Sequence, residues 1–421
     1  MYANKNFDKL INFLFITFVL VLLLKGLVRK ILPVFGELVY LTSDLILLQI
    51  ILLFFIKYKN LQRQHIPAYI CYITLIFIVT LATVKSLFLK NEMLIVVLGI
   101  REYLLPPIVF FVGYRYFTNS ENLAIFLSTV RAFGFISAII GILVILFNFN
   151  SPVFTPVAGH LEAHNSDFGD FGYVASIFDS PEKYTYFLLF VFCFTFPLYR
   201  RSNLKLLLYC CIILLGIAVS GRRVGIVLAI LNLFIFFTFV EKNPKFYLFL
   251  AFMSPILLWI FSVLTPTLFQ VLSTTTLSDI SYYFGEWLIQ DVRTIFDIGV
   301  DFISSNFGQG SPGASAFHEN TEFWGVESLI SRISFYVGFL GLVVFTLLLT
   351  VILGSLASKC FKNPNPLIFS SLIFCFSTVL WNIKSGNILV WPEFFFISLA
   401  IGYTLSVRKY KLPMTNAKET Y

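Results

Sequence analysis

Charge is scarce in this sequence. Asp, Glu, Lys and Arg make up 12% of its 421 residues while hydrophobic residues make up 58%, whereas water-soluble globular chains carry about 25% charged residues. Cysteine is scarce too, at six. Cys71, Cys193, Cys210, Cys211 and Cys375 fall in apolar runs and Cys360 in a short basic loop. None is left in either long polar segment to build an oxidised framework, so no disulfide is expected. Metal-binding patterns are wanting as well. His160 and His164 share an i, i+4 spacing, but Pro156, Gly159 and Gly169 oppose a stable helix there, and no third ligand follows at metal-site spacing. Neither a metal nor another cofactor is expected. Internal repeats, low-complexity tracts and a soluble domain are also missing. The first apolar run has no small-residue cleavage site and continues into Lys25, so it reads as a retained helix.

Apolar length is abundant: the mean hydropathy is +0.87 and 51 residues are Phe. Runs of the roughly 17 to 25 residues that a spanning helix requires fall near Leu10 to Val28, Leu38 to Ile56, Pro67 to Val84, Leu94 to Tyr114 and Leu123 to Phe147. Others follow near Lys183 to Tyr199, Leu204 to Ser220, Val224 to Val240, Phe246 to Leu264, Ile333 to Gly354, Leu367 to Ile383 and Ile388 to Ser406. The expected fold is all-α, a polytopic membrane helical bundle of about twelve transmembrane helices. Residues 1–421 are read as one integral-membrane domain, with a long, partly helical external loop over about 265–327.

Basic residues in short loops set the expected orientation. Lys5 and Lys9, then Lys57, Lys59 and Arg63, Arg115, Arg200, Arg201 and Lys205, Lys242 and Lys245, Lys359 and Lys362, and the Arg408 to Lys411 tail fall on one side if the helices alternate. Both termini are then cytoplasmic, and the acidic segments Asn148 to Glu182 and Thr265 to Glu327 lie outside. Lys25, Arg29, Lys30, Lys85, Lys90, Arg222, Arg223 and Lys384 break this pattern. Either they are scatter or a miscounted helix, or some of them gather around an anionic lipid phosphate, which the forked donors of Arg suit. The net charge of +8 sits in loops between spans, which argues against nucleic-acid binding.

Four places carry candidate chemistry. S-G-R-R-V-G at Ser220 to Gly225 parts two apolar runs with almost no loop. Adjacent helical residues point about 100° apart, so one of Arg222 and Arg223 faces the interior while the other snorkels to headgroups, or both are anchors. D-V-R-T-I-F-D at Asp291 to Asp297 lies in a stretch with apolar residues at helical spacing, Ile289, Val292, Ile295, Phe296, Val300 and Ile303. Its Arg293 pairs with one of Asp279, Glu286, Asp291, Asp297 and Asp301, or holds a phosphate. F-G-Q-G-S-P-G-A-S at Phe307 to Ser315, followed by His318, makes a turn that can approach a ligand closely, although without the Lys-Ser/Thr of a P-loop. Finally Glu327 is followed by Ser328, nine residues, then Gly338 and Gly341. Its plain alternative is a helix-start carboxylate.

The order of these features resembles the O-antigen polymerase and O-antigen ligase superfamily, integral-membrane glycosyltransferases with a GT-C-type fold. In the ligases an external His followed by Asn, Ser or Gln, nine residues and G-x-x-G marks the active site. Glu327, Ser328, Gly338 and Gly341 match that spacing, with Glu in place of His. The S-G-R-R stretch looks like the family's Ser-Arg turn, Arg293 like its second arginine and Phe307 to Gly313 like its glycine-rich turn. S-I-F-D-S-P-E-K-Y at Ser176 to Tyr184 is similar to the segment leading into the following helix. The resemblance covers roughly Ser176 to Gly354. It implies a bacterial inner-membrane enzyme with its site on the periplasmic side. Its donor and acceptor are oligosaccharides on polyprenyl (undecaprenyl) pyrophosphate, with membrane lipids and a chain-length regulator protein as further partners. Glu in the His position favours a polymerase of O-antigen or related surface polysaccharide over a ligase to the lipid A-core of lipopolysaccharide. His318, nine residues earlier, competes with Glu327 for the role of base.

The chemistry itself asks for three things: charge stabilisation of a departing pyrophosphate, a positioned acceptor hydroxyl and a base. Arg222 or Arg223 with Arg293 supplies the first, and no metal is required if they do. Glu327 accepts the hydroxyl proton as attack occurs opposite the leaving group, with inversion. Asp44, Arg101, Glu102 and Arg131 are intramembrane polar residues, expensive in lipid and therefore facing partners or cavities. Arg101 joins the donor site or forms a structural pair. A flippase for lipid-linked oligosaccharides, or another transporter, is the rival class, and a non-catalytic scaffold a further one. Neither requires a long external loop ending in a single carboxylate.

Overall fold

The computed structural model describes residues 2–32, 36–57, 66–89, scattered positions between 93 and 117, 120–147, 174–178, 180–195, 203–220, 223–236, 301–305, 307, 329–362, 366–385 and 402. Among them every regular element is a helix. In chain order these are α1 (Tyr2–Ile31), α2 (Gly36–Lys57), α3 (Ile66–Phe88), α4 (Ser120–Leu146) and α5 (Pro181–Thr195). There follow α6 (Asn203–Val219), α7 (Arg223–Phe236), α8 (Leu329–Tyr336), α9 (Phe339–Lys362) and α10 (Pro366–Ser385).

Four of them contain stretches long and apolar enough to cross a membrane: Lys9–Ile31, Ile70–Phe88, Glu121–Leu146 and Phe339–Lys362. Shorter apolar helices run over Thr42–Phe54, Leu208–Val219, Gly225–Ile235 and Leu367–Val379. The expected run at 246–264, and that at 388–406 apart from position 402, lie outside the described residues. The run at 94–114 is represented by single positions. Large apolar side chains left on the outside form stripes at helical spacing: Leu45, Leu48, Leu52 and Ile56 on α2, and Phe339, Val343 and Leu347 on α9. Hydrocarbon is the surrounding such stripes fit, since in water they would be sticky patches.

The middle of the bundle is α5. It packs against α4, α6, α7 and α10, and every residue from Tyr184 to Thr195 is buried, as a helix that is apolar all round requires. Ser180 caps its start by accepting from the Lys183 amide at 3.3 Å. Pro181 occupies the first helical position, where a missing N–H costs nothing. Glycines on the neighbours let α5 come close. A Cβ on Gly141 of α4 would overlap the Tyr184 hydroxyl, and one on Gly216 of α6 would stand 2.9 Å from both Ala138 Cβ and Leu188 Cδ1. Small residues at such crossings are the usual means by which spanning helices pack. Buried apolar residues of all ten helices join one core cluster.

Two expectations from the sequence change here. The apolar run from Ile333 to Gly354 is not one helix: α8 stops at Tyr336 and α9 starts at Phe339. Cys360 is not in a loop, because α9 continues to Lys362 and buries it.

Candidate functional site

The break between α8 and α9 is where residues 301–305 of the long polar segment meet the bundle. Gly338 takes a φ of +101°, a left-handed conformation that glycine adopts without penalty. The segment 301–304 runs alongside it. Phe339 N donates to Asp301 O at 3.1 Å, Leu340 N to Phe302 O at 3.3 Å, and Ser304 N to Val337 O at 3.2 Å. Ser304 Oγ adds a bond to the Phe335 carbonyl. A Cβ on Gly338 would meet Phe302 O at 2.7 Å and Ser304 N at 2.8 Å. The first glycine of G-F-L-G is thus demanded both by backbone angle and by the close approach of another chain segment. The second, Gly341, is buried against Val337.

The end of α3 closes the same clasp. Lys85 Nζ donates to Asp301 Oδ2 at 3.0 Å and to the Ile303 carbonyl at 2.7 Å. Asp301 Oδ2 also accepts from Ser305 N at 3.1 Å and Ser305 Oγ at 2.8 Å. Donation from Ser305 and then from Lys85 holds the Asp301 carboxyl below its ordinary range. Phe307, the first residue of the glycine-rich stretch, is fully buried, with its ring 5.9 Å from that of Tyr103. Asp301 is one of the acids near Arg293 in sequence, and in the structure it pairs with Lys85.

A second group forms around the start of α5. Thr185 Oγ1 donates to Ser220 Oγ at 2.7 Å, so the residue that follows S-I-F-D-S-P-E-K-Y meets the first residue of the S-G-R-R turn. Ser176 is buried and non-helical, with a φ of +50°. Its hydroxyl donates to the Ser137 carbonyl at 2.9 Å, and its own carbonyl accepts from Lys30 Nζ at 2.9 Å. Lys30 and Lys85, read as breaches of the charge rule, thus donate to oxygens of the fold.

Arg101 pairs with Asp44, Nε to Oδ2 at 2.8 Å with an NH2 donation to Oδ1 at 3.1 Å. The charge of buried Lys25 acts on the same carboxylate. The intrabundle pair, one of the two expectations for Arg101, is thus present in the fold. Arg131 is half-buried on α4. Deeper in the bundle, Ser377 Oγ donates to Asn232 Oδ1 at 2.8 Å and Asn232 Nδ2 reaches Cys193 Sγ at 3.2 Å, joining α10, α7 and α5 by buried polar contacts of the kind that glue spanning helices.

Of the other residues singled out in the sequence, Glu327, Ser328, His318, Arg222, Arg293 and Glu102 lie outside the described residues, as does the turn from Gly308 to Ser315. Arg223 is the first residue of α7, and its side chain is likewise outside them. The Lys85–Asp301 tie was missed by sequence reasoning. Its one trace was a lysine on the side where basic residues are expected to be rare. No protein-family model matches the chain, and no curated protein is significantly similar to it.

Proposed function

We propose that this chain is an integral-membrane glycosyltransferase that polymerises lipid-linked polysaccharide repeat units. It moves a glycan from polyprenyl pyrophosphate to the hydroxyl of an acceptor sugar. The observation that carries the reading is the clasp at Gly338. Residues 301–304 of the long polar segment are built into the helix break that begins the G-x-x-G motif. Glu327 is two residues before the first residue of α8 and Arg293 eight before Asp301, so both flank the clasp along the chain. A transporter without chemistry has no need of such an anchored segment.

In the proposed reaction the acceptor oxygen forms a bond to the anomeric carbon as the bond from that carbon to the phosphate oxygen breaks, on the opposite face, with inversion. The acceptor proton passes to the Glu327 carboxylate, with His318 as the competing base. The electron pair leaves with the polyprenyl pyrophosphate. Arg293 and one of Arg222 and Arg223 stabilise that charge, which is the largest contribution a pre-set site makes. Unperturbed, a carboxylate of pKa about 4.3 is a weak base, adequate where the sugar centre already bears oxocarbenium character and the proton leaves late. The resemblance further implies the bacterial inner membrane with the site on the periplasmic side, and the basic short loops put both termini in the cytoplasm.

The test uses purified protein in lipid vesicles with one lipid-linked repeat unit. A ladder of longer lipid-linked chains is expected, and Glu327→Gln should slow its growth by about 10²-fold or more, the scale of a lost general base. An unchanged ladder from Glu327→Gln overturns the assignment of the base. No ladder from the unaltered protein overturns the polymerase, and glycan transfer to added lipid A-core would identify a ligase.

A further inference from the structure

We propose that Lys85 and Asp301 form an ionic latch, which holds residues 301–305 of the polar segment across the α8–α9 break and so positions the chain that adjoins them. The three backbone hydrogen bonds between 301–304 and 337–340 tie the segment only to chain that follows it. Lys85 ties it to a different helix, α3, and does so twice, through the Asp301 carboxylate and the Ile303 carbonyl. Ser86 adds longer contacts to the carbonyls of Ser305 and Phe307. The side chains of Lys85 and Asp301 remain 41% and 47% exposed. Water can therefore compete for both partners, and the tie can open without unfolding the bundle. Buried Ser304 and Phe307 on the inner side give the closed state a defined seat.

The consequence for catalysis rests on the function proposed above. Along the chain Arg293 precedes Asp301 by eight residues and Glu327 precedes Leu329 by two. Closing the latch fixes residues 301–305 and the α8–α9 break against one helix end, which makes Lys85 and Asp301 positioning residues.

The test takes the full-length protein in lipid nanodiscs and follows amide hydrogen exchange in peptides covering 301–307 and 337–342. In Lys85→Met and in Asp301→Asn both peptides should exchange about fivefold faster, the scale of an exposed charge pair. The swap Lys85→Asp with Asp301→Lys, and the conservative Lys85→Arg, should bring exchange back toward the original rate. Chain-extension kcat should follow the same order of variants, with KM for the lipid-linked substrate unchanged. Unchanged exchange in both single variants, or acceleration that the swap does not repair, overturns the latch. Faster exchange with unaltered kcat overturns the positioning role. If the unaltered protein extends no chain, the functional reading above fails while exchange still decides the latch.

Discussion

At Ser176 the chain accepts a left-handed backbone without the freedom of glycine, a conformation that persists where surroundings over-determine it. The determinants are a carbonyl on α4, an ammonium at the end of α1 and complete burial. No sequence pattern foretells that tie, since donor and acceptor are 146 positions apart and the acceptor is backbone. The Arg101–Asp44 pair was legible only as two polar residues that lipid would not tolerate alone. Its energetics are separable. Arg101→Met and Asp44→Leu should each lower the apparent melting temperature, while the double variant should lose less than the sum. The coupling should be about 0.5–3 kcal/mol. If the two losses simply add, Arg101 and Asp44 do not depend on one another.

Among elements, the α8–α9 break teaches most about reading sequence. Hydropathy crosses it without a dip because Val337 and Phe339 are apolar, so an uninterrupted span was expected. The two glycines of the motif were visible by spacing, yet what ends α8 is oxygen and nitrogen brought in from residues 301–304. Gly338→Ala should therefore cost about 1–3 kcal/mol for the left-handed backbone, with further displacement of 302–304 by the new methyl group. Its check is a lower apparent melting temperature together with faster exchange at the Leu340 amide. Gly354, which has open space around it, should accept the same change with little effect. Equal responses at the two glycines would contradict the special role of the break.

For the whole molecule, apolar run length placed most described helices to within a few residues, because a hydrocarbon solvent forces backbone groups to pair within each segment. The order of packing around α5 was not legible, since it depends on which glycine faces which large side chain. Gly141→Ala tests that order. The methyl group would overlap the Tyr184 hydroxyl, and overpacking of this sort costs about 1–3 kcal/mol. Adding Tyr184→Phe should recover part of the lost thermal stability, and no recovery would place the strain elsewhere. The clasp also limits how the rim can treat an anion. Phe339 and Leu340, at the head of α9, have already given their amide hydrogens to the chain's own carbonyl oxygens. Those two amides at the helix start are therefore spent and do not also cradle a diphosphate. Under the proposed reading, neutralising a leaving group there falls to side chains, and loss of a single guanidinium should be felt in full.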